Sequence, residues 1–288
     1  MIDPIFLLEA AVNGIMLGGV LALLALGLNL IFGVLDVVWI AYVDLVMVSM
    51  YAVYFTVMVY GWPLWLGGIA GVVVGVVLGL LVHVLIITPI LDSPPVNQLL
   101  ATGGLLFFLQ SIATFLWTTD HRSVRIALPP LEIAGIFVSY ARLIAFGLSI
   151  AVMIGLYLFL TRTYIGTAIR AVSQDRGAMA LMGAHPQRVY LVTSAVGGAM
   201  AGVAAVLLSI QYSVHPYFGA AFGPITFMIC VLGGLGNMVG AFVASFIMSE
   251  IIAIGGVVWS TEMGYVIAFA LFIVMMFARP GGIFAKRQ

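Results

Sequence analysis

Lysine occurs once in this 288-residue chain, at Lys286, and cysteine once, at Cys230. Each scarcity excludes something. A phosphate-binding loop needs Gly-Lys-Ser/Thr after a glycine-rich turn. Lys286 is followed by Arg287, so the chain has no such loop and ATP hydrolysis by it is excluded. One cysteine closes no disulfide within the chain, and Cys230, inside an apolar run, reads as a small packed hydrophobe. Charge is scarce as well: 7% of residues are charged and the formal net charge is zero, against about 25% charged in soluble domains. That leaves no electrostatic case for nucleic acid. No Lys or Arg precedes Arg122. The basic start of a cleavable signal peptide is therefore missing, and the first apolar run reads as a retained span. None of His83, His121, His185 and His215 pairs with another His, Cys or carboxylate at metal-ligand spacing, and no nucleophile–base motif is evident.

What the chain has in abundance is apolar residues, 64% of the total. A membrane span takes about 20 of them in a row. Runs of that kind lie at roughly 5–31, 34–57, 66–87, 97–117, 142–160, 189–211, 222–257 and 263–278. The 222–257 run is too long for one span and contains Gly233-Gly234-Leu235-Gly236-Asn237, so it divides into two segments at a glycine turn. The 34–57 run carries Asp36 and Asp44 and reads as partly re-entrant. The expectation is an all-α integral membrane protein, a single transmembrane domain over 1–288, with about eight spans and at least one broken or re-entrant segment. Glycines repeat every fourth residue at Gly71, Gly75 and Gly79, at Gly14 and Gly18, at Gly198 and Gly202, and at Gly236 and Gly240. That spacing places small residues on one face, where helices approach closely.

Basic residues set orientation. Arg162, Arg170, Arg176 and Arg188 lie in 161–188, and Arg279, Lys286 and Arg287 lie in the tail. Four segments separate the two groups, so both fall on one side. Arg122, Arg125 and Arg142 fall on the other, which puts 161–188 and the C-terminus in the cytoplasm. The 161–188 segment is too polar to span. Ile165, Ala168, Ile169 and Val172 share one helical face, and Ala178, Leu181 and Met182 share another. Asp175 is placed to cap the second helix and Gly183 to end it. A short amphipathic hairpin of this kind reads as a docking device.

Four motifs, in order, carry a resemblance. Gly166, Ala168, Arg170 and Ala171, then Met179-Ala180 leading to Gly183, match a loop reading Gly-x-Ala-x-Arg-Ala followed by Ala-x-x-x-Gly. Leu232-Gly233-Gly234-Leu235-Gly236-Asn237 precedes Gly240-Ala241, with a carboxylate at Glu250. Gly27-Leu28-Asn29-Leu30-Ile31-Phe32-Gly33 lies in the first span, and Arg279-Pro280-Gly281-Gly282-Ile283-Phe284 near the end. Together they resemble permeases of branched-chain amino acid-type ABC importers, the LivH/LivM family, over nearly the whole chain. One departure is Trp39-Ile40-Ala41-Tyr42-Val43-Asp44, where the family has Asn-Phe-Ala-His-Gly-Asp/Glu. The bulkier Trp39 and Tyr42, taken to lie at the rim, hint at a hydrophobic or aromatic acid as cargo.

The resemblance implies that 161–188 is a coupling loop seated in a groove of an ATPase subunit, with Gly166, Arg170, Ala171, Asp175, Arg176 and Gly183 as its residues. It implies a sister permease (LivM-like) or a second copy, two cytoplasmic ATPases carrying ATP-Mg, and an extracytoplasmic binding protein. This chain would hold no cofactor and would lie in the bacterial inner membrane. Glycine turns inside a membrane free backbone groups that can line a path. Intramembrane polar residues are costly to bury. The candidate path is Asn29, Trp39, Tyr42, Asp44, Gly233, Gly234, Gly236, Asn237 and Glu250. The rival reading is an ion-coupled secondary transporter or channel using Glu250.

Overall fold

The computed structural model describes residues 4–124, 130–133, 136–175, 177, 179, 185–279 and 281–283. Pro at the first helical position has no N–H to leave unpaired, and it opens α4 (Pro95–Trp117) and α7 (Pro186–Gln211). Side-chain oxygens cap three more helices. Thr163 accepts from Gly166 N at the start of α6 (Tyr164–Gln174), Asn237 from Gly240 N at α9 (Met238–Val258), and Ser260 from Met263 N at α10 (Thr261–Ala278). The remaining helices are α1 (Pro4–Leu35), α2 (Tyr42–Tyr54), α3 (Leu64–Val82), α5 (Tyr140–Arg162) and α8 (Phe218–Gly233). A π turn, Phe55–Val59, extends α2. Another, His83–Ile87, carries α3 into a last turn at Thr88–Ile90. Pro89 cannot donate to the carbonyl one turn back, and the helix widens there. The chain is an all-α integral membrane protein apart from an antiparallel hairpin, β1 (Pro130–Ile133) with β2 (Ile136–Ser139), in register Pro130↔Ser139.

Seven of these helices are long and apolar enough to cross a membrane, and α8 and α10 are shorter apolar helices. At 1.5 Å per residue the 16 residues of α8 reach about 24 Å, short of a ~30 Å hydrocarbon core. The 222–257 run is therefore broken as expected, at Gly234 and Gly236, whose φ of 97° and 80° suit glycine. The boundary between the first two runs differs from the sequence reading. α1 continues to Leu35 and stops at Asp36, in the left-handed region at φ 59°, and α2 begins only at Tyr42. Residues 36–41 are linker, so Trp39 lies outside any helix.

α1 is the axis of the bundle, with Val20 through Leu26 at most 5% exposed. It packs against α5, α7, α8 and α9. α3 crosses α7 on the glycine ladder: a Cβ on Gly75 would lie 2.9 Å from Gly202 N, and one on Gly79 3.1 Å from Gly198 Cα. Beside that crossing the His83 imidazole is within 2.9 Å of Ser194 Oγ, which satisfies a polar side chain inside the bundle.

Candidate functional site

The glycine turn is tied to α1 by one side chain. Asn29 is fully buried. Its Nδ2 donates to Asn237 O at 2.9 Å and Gly234 O at 3.3 Å, and its Oδ1 accepts from Gly236 N at 2.5 Å. The Gly234 and Asn237 carbonyls also accept from Asn237 N and Ala241 N at 3.0 Å each, so what the amide adds is a partner for Gly236 N and a tie from the turn to α1. Two further contacts close the turn. Gly33 approaches Gly236, where a Cβ would lie 2.9 Å from the Gly236 Cα. From the tail, Ile283 N donates to Leu232 O at 2.8 Å. The turn thus brings together Asn29, Gly233, Gly234, Gly236 and Asn237, all expected on the path.

Asp44, Tyr42 and Trp39 lie together inside the bundle. Asp44 is 1% exposed; its Oδ1 accepts from Gln110 Nε2 at 3.1 Å, and its carboxyl carbon sits 2.7 Å from where a Cβ on Gly219 would stand. Tyr42 fills a notch left by Gly27 and donates to Gly197 O at 3.0 Å. Trp39 meets Tyr42 edge to face, ring centroids 6.2 Å apart, and its buried Nε1 has no hydrogen-bond partner. The rim position expected for the two aromatics is corrected: both are at most 1% exposed, because Gly27 makes room for the phenol against α1.

In the 161–188 segment α6 leans on the end of α5. A Cβ on Gly166 would lie 2.5 Å from Leu160 Cα, so only glycine allows the approach. Gly166, Ile169 and Val172 form the buried face, while Ile165 is 44% exposed. The expected apolar face is thus rotated toward the glycine. Arg170 and Asp175 are exposed and Ala171 is half-buried. Asp175 O accepts from Met179 N at 3.3 Å, the start of a further helical turn. Arg176 and Gly183 lie outside the described residues, as do Ala178, Leu181 and Met182. A cavity of about 1260 Å³ joins α6 to the glycine turn. It is lined by Val172–Gln174, by Gly234–Val239 and by Phe32–Val34 with Asp36.

Glu250 stands elsewhere, on α9 about 18 Å of helix beyond Met238. Its carboxyl atoms sit 3.0 Å from where a Cβ on Gly14 would be, and its Oε1 is buried without a partner. The structure thus separates Glu250 from the turn. Sequence reasoning passed over Phe146 and Phe246, whose rings meet one turn of α9 from Glu250, and used Arg142 for orientation alone. A Phe-x-x-Ser pattern at 146–149 and 246–249 is the signal that marks the first two. Outside the spans, Arg122 and Val214 exchange backbone hydrogen bonds of 3.0 and 2.7 Å. Beside them the His121 and His215 rings lie 4.5 Å apart. Burial first, and His121 second, hold the His215 imidazole below its usual pKa.

The family model described as branched-chain amino acid transport system / permease component matches residues 10–276. The chain is 27% identical over 296 residues to the high-affinity branched-chain amino acid transport system permease protein BraD of Pseudomonas aeruginosa, covering 98% of this chain and 96% of that one. It is 28% identical over 303 residues to the corresponding protein LivH of Escherichia coli, covering 99% and 97%. A probable branched-chain amino acid transport permease protein LivH of Methanocaldococcus jannaschii is 32% identical over 99 residues, 34% of this chain and 31% of that one. No solved structure matches.

Proposed function

We propose, because this chain belongs to the family of branched-chain amino acid transport system permease components, that it forms part of the membrane path of an ATP-driven importer. Its cargo is an amino acid of the branched-chain class or a related small hydrophobic carboxylate. An extracytoplasmic binding protein delivers the cargo. A second permease, identical or LivM-like, completes the path, and two cytoplasmic ATPases hold ATP-Mg, for which this chain has no site of its own. The 161–188 segment and the C-terminus face the cytoplasm of a bacterial inner membrane.

The cleft between α6 and the glycine turn carries this reading. Gly166 seats α6 on α5, Arg170 faces outward to a partner, and Val172–Gln174 share a cavity with Gly234–Val239. Displacement of α6 by the ATPases alters that cavity beside the one break in the late spans. Alternating access then needs no covalent chemistry here. Asn29, Asp44, Trp39 and Tyr42 hold the inner framework of the path.

Purification in mild detergent with native partners, followed by mass spectrometry, tests the reading. A soluble P-loop ATPase in stoichiometric yield supports it. Uptake by the chain alone in liposomes under an ion gradient, abolished by Glu250→Gln, replaces it with the ion-coupled mechanism.

A further inference from the structure

α5 and α9 flank α1 and dock on neighbouring glycines. A Cβ on Gly18 would lie 2.6 Å from Ser249 Oγ and 2.8 Å from Phe246; one on Gly19 would lie 2.6 Å from Ser149 Oγ and 2.7 Å from Phe146. The two glycines let both helices close in, and the phenyl rings meet edge to face over α1, centroids 6.5 Å apart at 89°. Residues four apart share a helix face. Arg142 therefore stands one turn from Phe146 on its face of α5, and Glu250 one turn from Phe246 on its face of α9.

These two charges flank a single turn of α1. Arg142 Nη1 donates to Asn13 Oδ1 at 2.7 Å, using one of five guanidinium N–H groups. Glu250 abuts the next residue, Gly14. Beyond the rings the two faces continue into a cavity of about 300 Å³, lined by Leu26, Ile150, Met153, Val239 and Phe242 among other apolar residues. Val239 also lines the cleft at the glycine turn. The order along α1 is a pair of opposite charges, an aromatic pair, an apolar groove, then the turn.

We propose that this seam is a wall of the solute path, with Phe146 and Phe246 as its gate and with Glu250 and Arg142 receiving the ammonium and carboxylate of an amino acid. The proposal rests on the transport reading above. A face turned to lipid has no use for a carboxylate whose Oε1 is buried without a partner, and such residues in spans mark solute routes or pair with other groups. The ammonium of a zwitterion supplies the partner that Glu250 lacks, its carboxylate suits the Arg142 guanidinium beside Asn13, and an aliphatic side chain suits the groove.

The native chain is well suited to thiol labelling, since its one cysteine, Cys230, is 1% exposed. Single variants Glu250→Cys and Met153→Cys are placed in the complete importer in sealed vesicles. They are treated with a membrane-impermeant cationic methanethiosulfonate, which needs a wetted thiol. Phe107→Cys, on the exposed face of α4, is the lipid-side control. The seam requires Glu250→Cys to react at least tenfold faster than the control, and saturating L-leucine to slow Met153→Cys, which keeps Glu250 and Arg142. It also requires Met153→Cys to accelerate at least tenfold when Phe246→Ala removes half the gate. Reaction of both variants at the control rate, with or without Phe246→Ala, means that lipid or another subunit seals the seam, and overturns the proposal. Wild-type vesicles that take up no amino acid on addition of ATP overturn the transport reading instead. Labelling needs only water and reports on the seam in either case.

Discussion

Asn29 spends its whole amide on three backbone groups of the glycine turn; the Gly234 and Asn237 carbonyls also accept from the Asn237 and Ala241 N–H groups, so replacing Asn29 strands the Gly236 N–H. An unpaired buried polar group costs about 1–3 kcal/mol, and about 1 kcal/mol moves the midpoint of a chain this size by roughly 2–4 °C. Asn29→Ala is expected to lower the melting temperature in detergent by roughly 5 °C, and Asn29→Asp, which sets a buried carboxylate oxygen against the Asn237 and Gly234 carbonyls, by at least as much. An unchanged midpoint in Asn29→Ala would show that the tie does not hold the turn. His215 gives a pH dependence. Its folded pKa lies below its usual 6.5, so the unfolded loop binds more protons in the interval between them. Stability of the Arg122–Val214 bridge is complete above pH 6.5 and is lost as pH falls through the folded value. Amide exchange at Val214 should therefore quicken on acidification, and His215→Phe should flatten the response. The residues of the glycine turn were legible in the sequence because glycine next to a polar residue is conspicuous in an apolar run. Their partner was not, since 205 residues separate Asn29 from Gly234. Asp44 was visible as a polar residue in a span, but nothing along the chain pairs it with Gln110, 66 positions away.

Helices that cross a membrane announce themselves through length and apolarity, and seven of the runs became such helices. What hydropathy does not register is where a helix begins within an unbroken apolar stretch. α1 and α2 part at Asp36 through a backbone angle, and the π turn at Phe55–Val59 leaves no mark in composition. α6 shows the same limit: its apolar positions were legible, while its rotation is set by Gly166 against α5. Two substitutions separate its fold from its role. Gly166→Val places a side chain against Leu160 and is expected to dislodge α6, reducing ATP-driven uptake at least tenfold while cargo-loaded binding protein still docks. Arg170→Glu is on the exposed face, where substitutions change stability by about 0.5 kcal/mol or less. It should abolish uptake with an unaltered melting curve. Normal uptake in Arg170→Glu would remove α6 from the coupling path.

At the scale of the whole molecule, large apolar side chains remain uncovered on several outer faces, Phe107 and Phe115 of α4 at 69% and 85% among them. Lipid covers most such surface, and a second permease is expected to cover part of it. Native mass spectrometry of the purified importer should give two permease chains for two ATPases; a single permease per complex would contradict the shared path. The same whole-molecule view gives α1 a history as well as a position. It is made well before α8 and α9, which bury its inner half and come some 200 residues later. At a synthesis rate of about 5–20 residues per second, α1 waits roughly 10–40 s in the bilayer with the Asn29 amide unsatisfied. Some component of the insertion machinery, or a transient helix neighbour, has to shelter that amide until the glycine turn arrives. A chain stalled before residue 234 should accordingly be recognised as incomplete by membrane quality control through this one side chain.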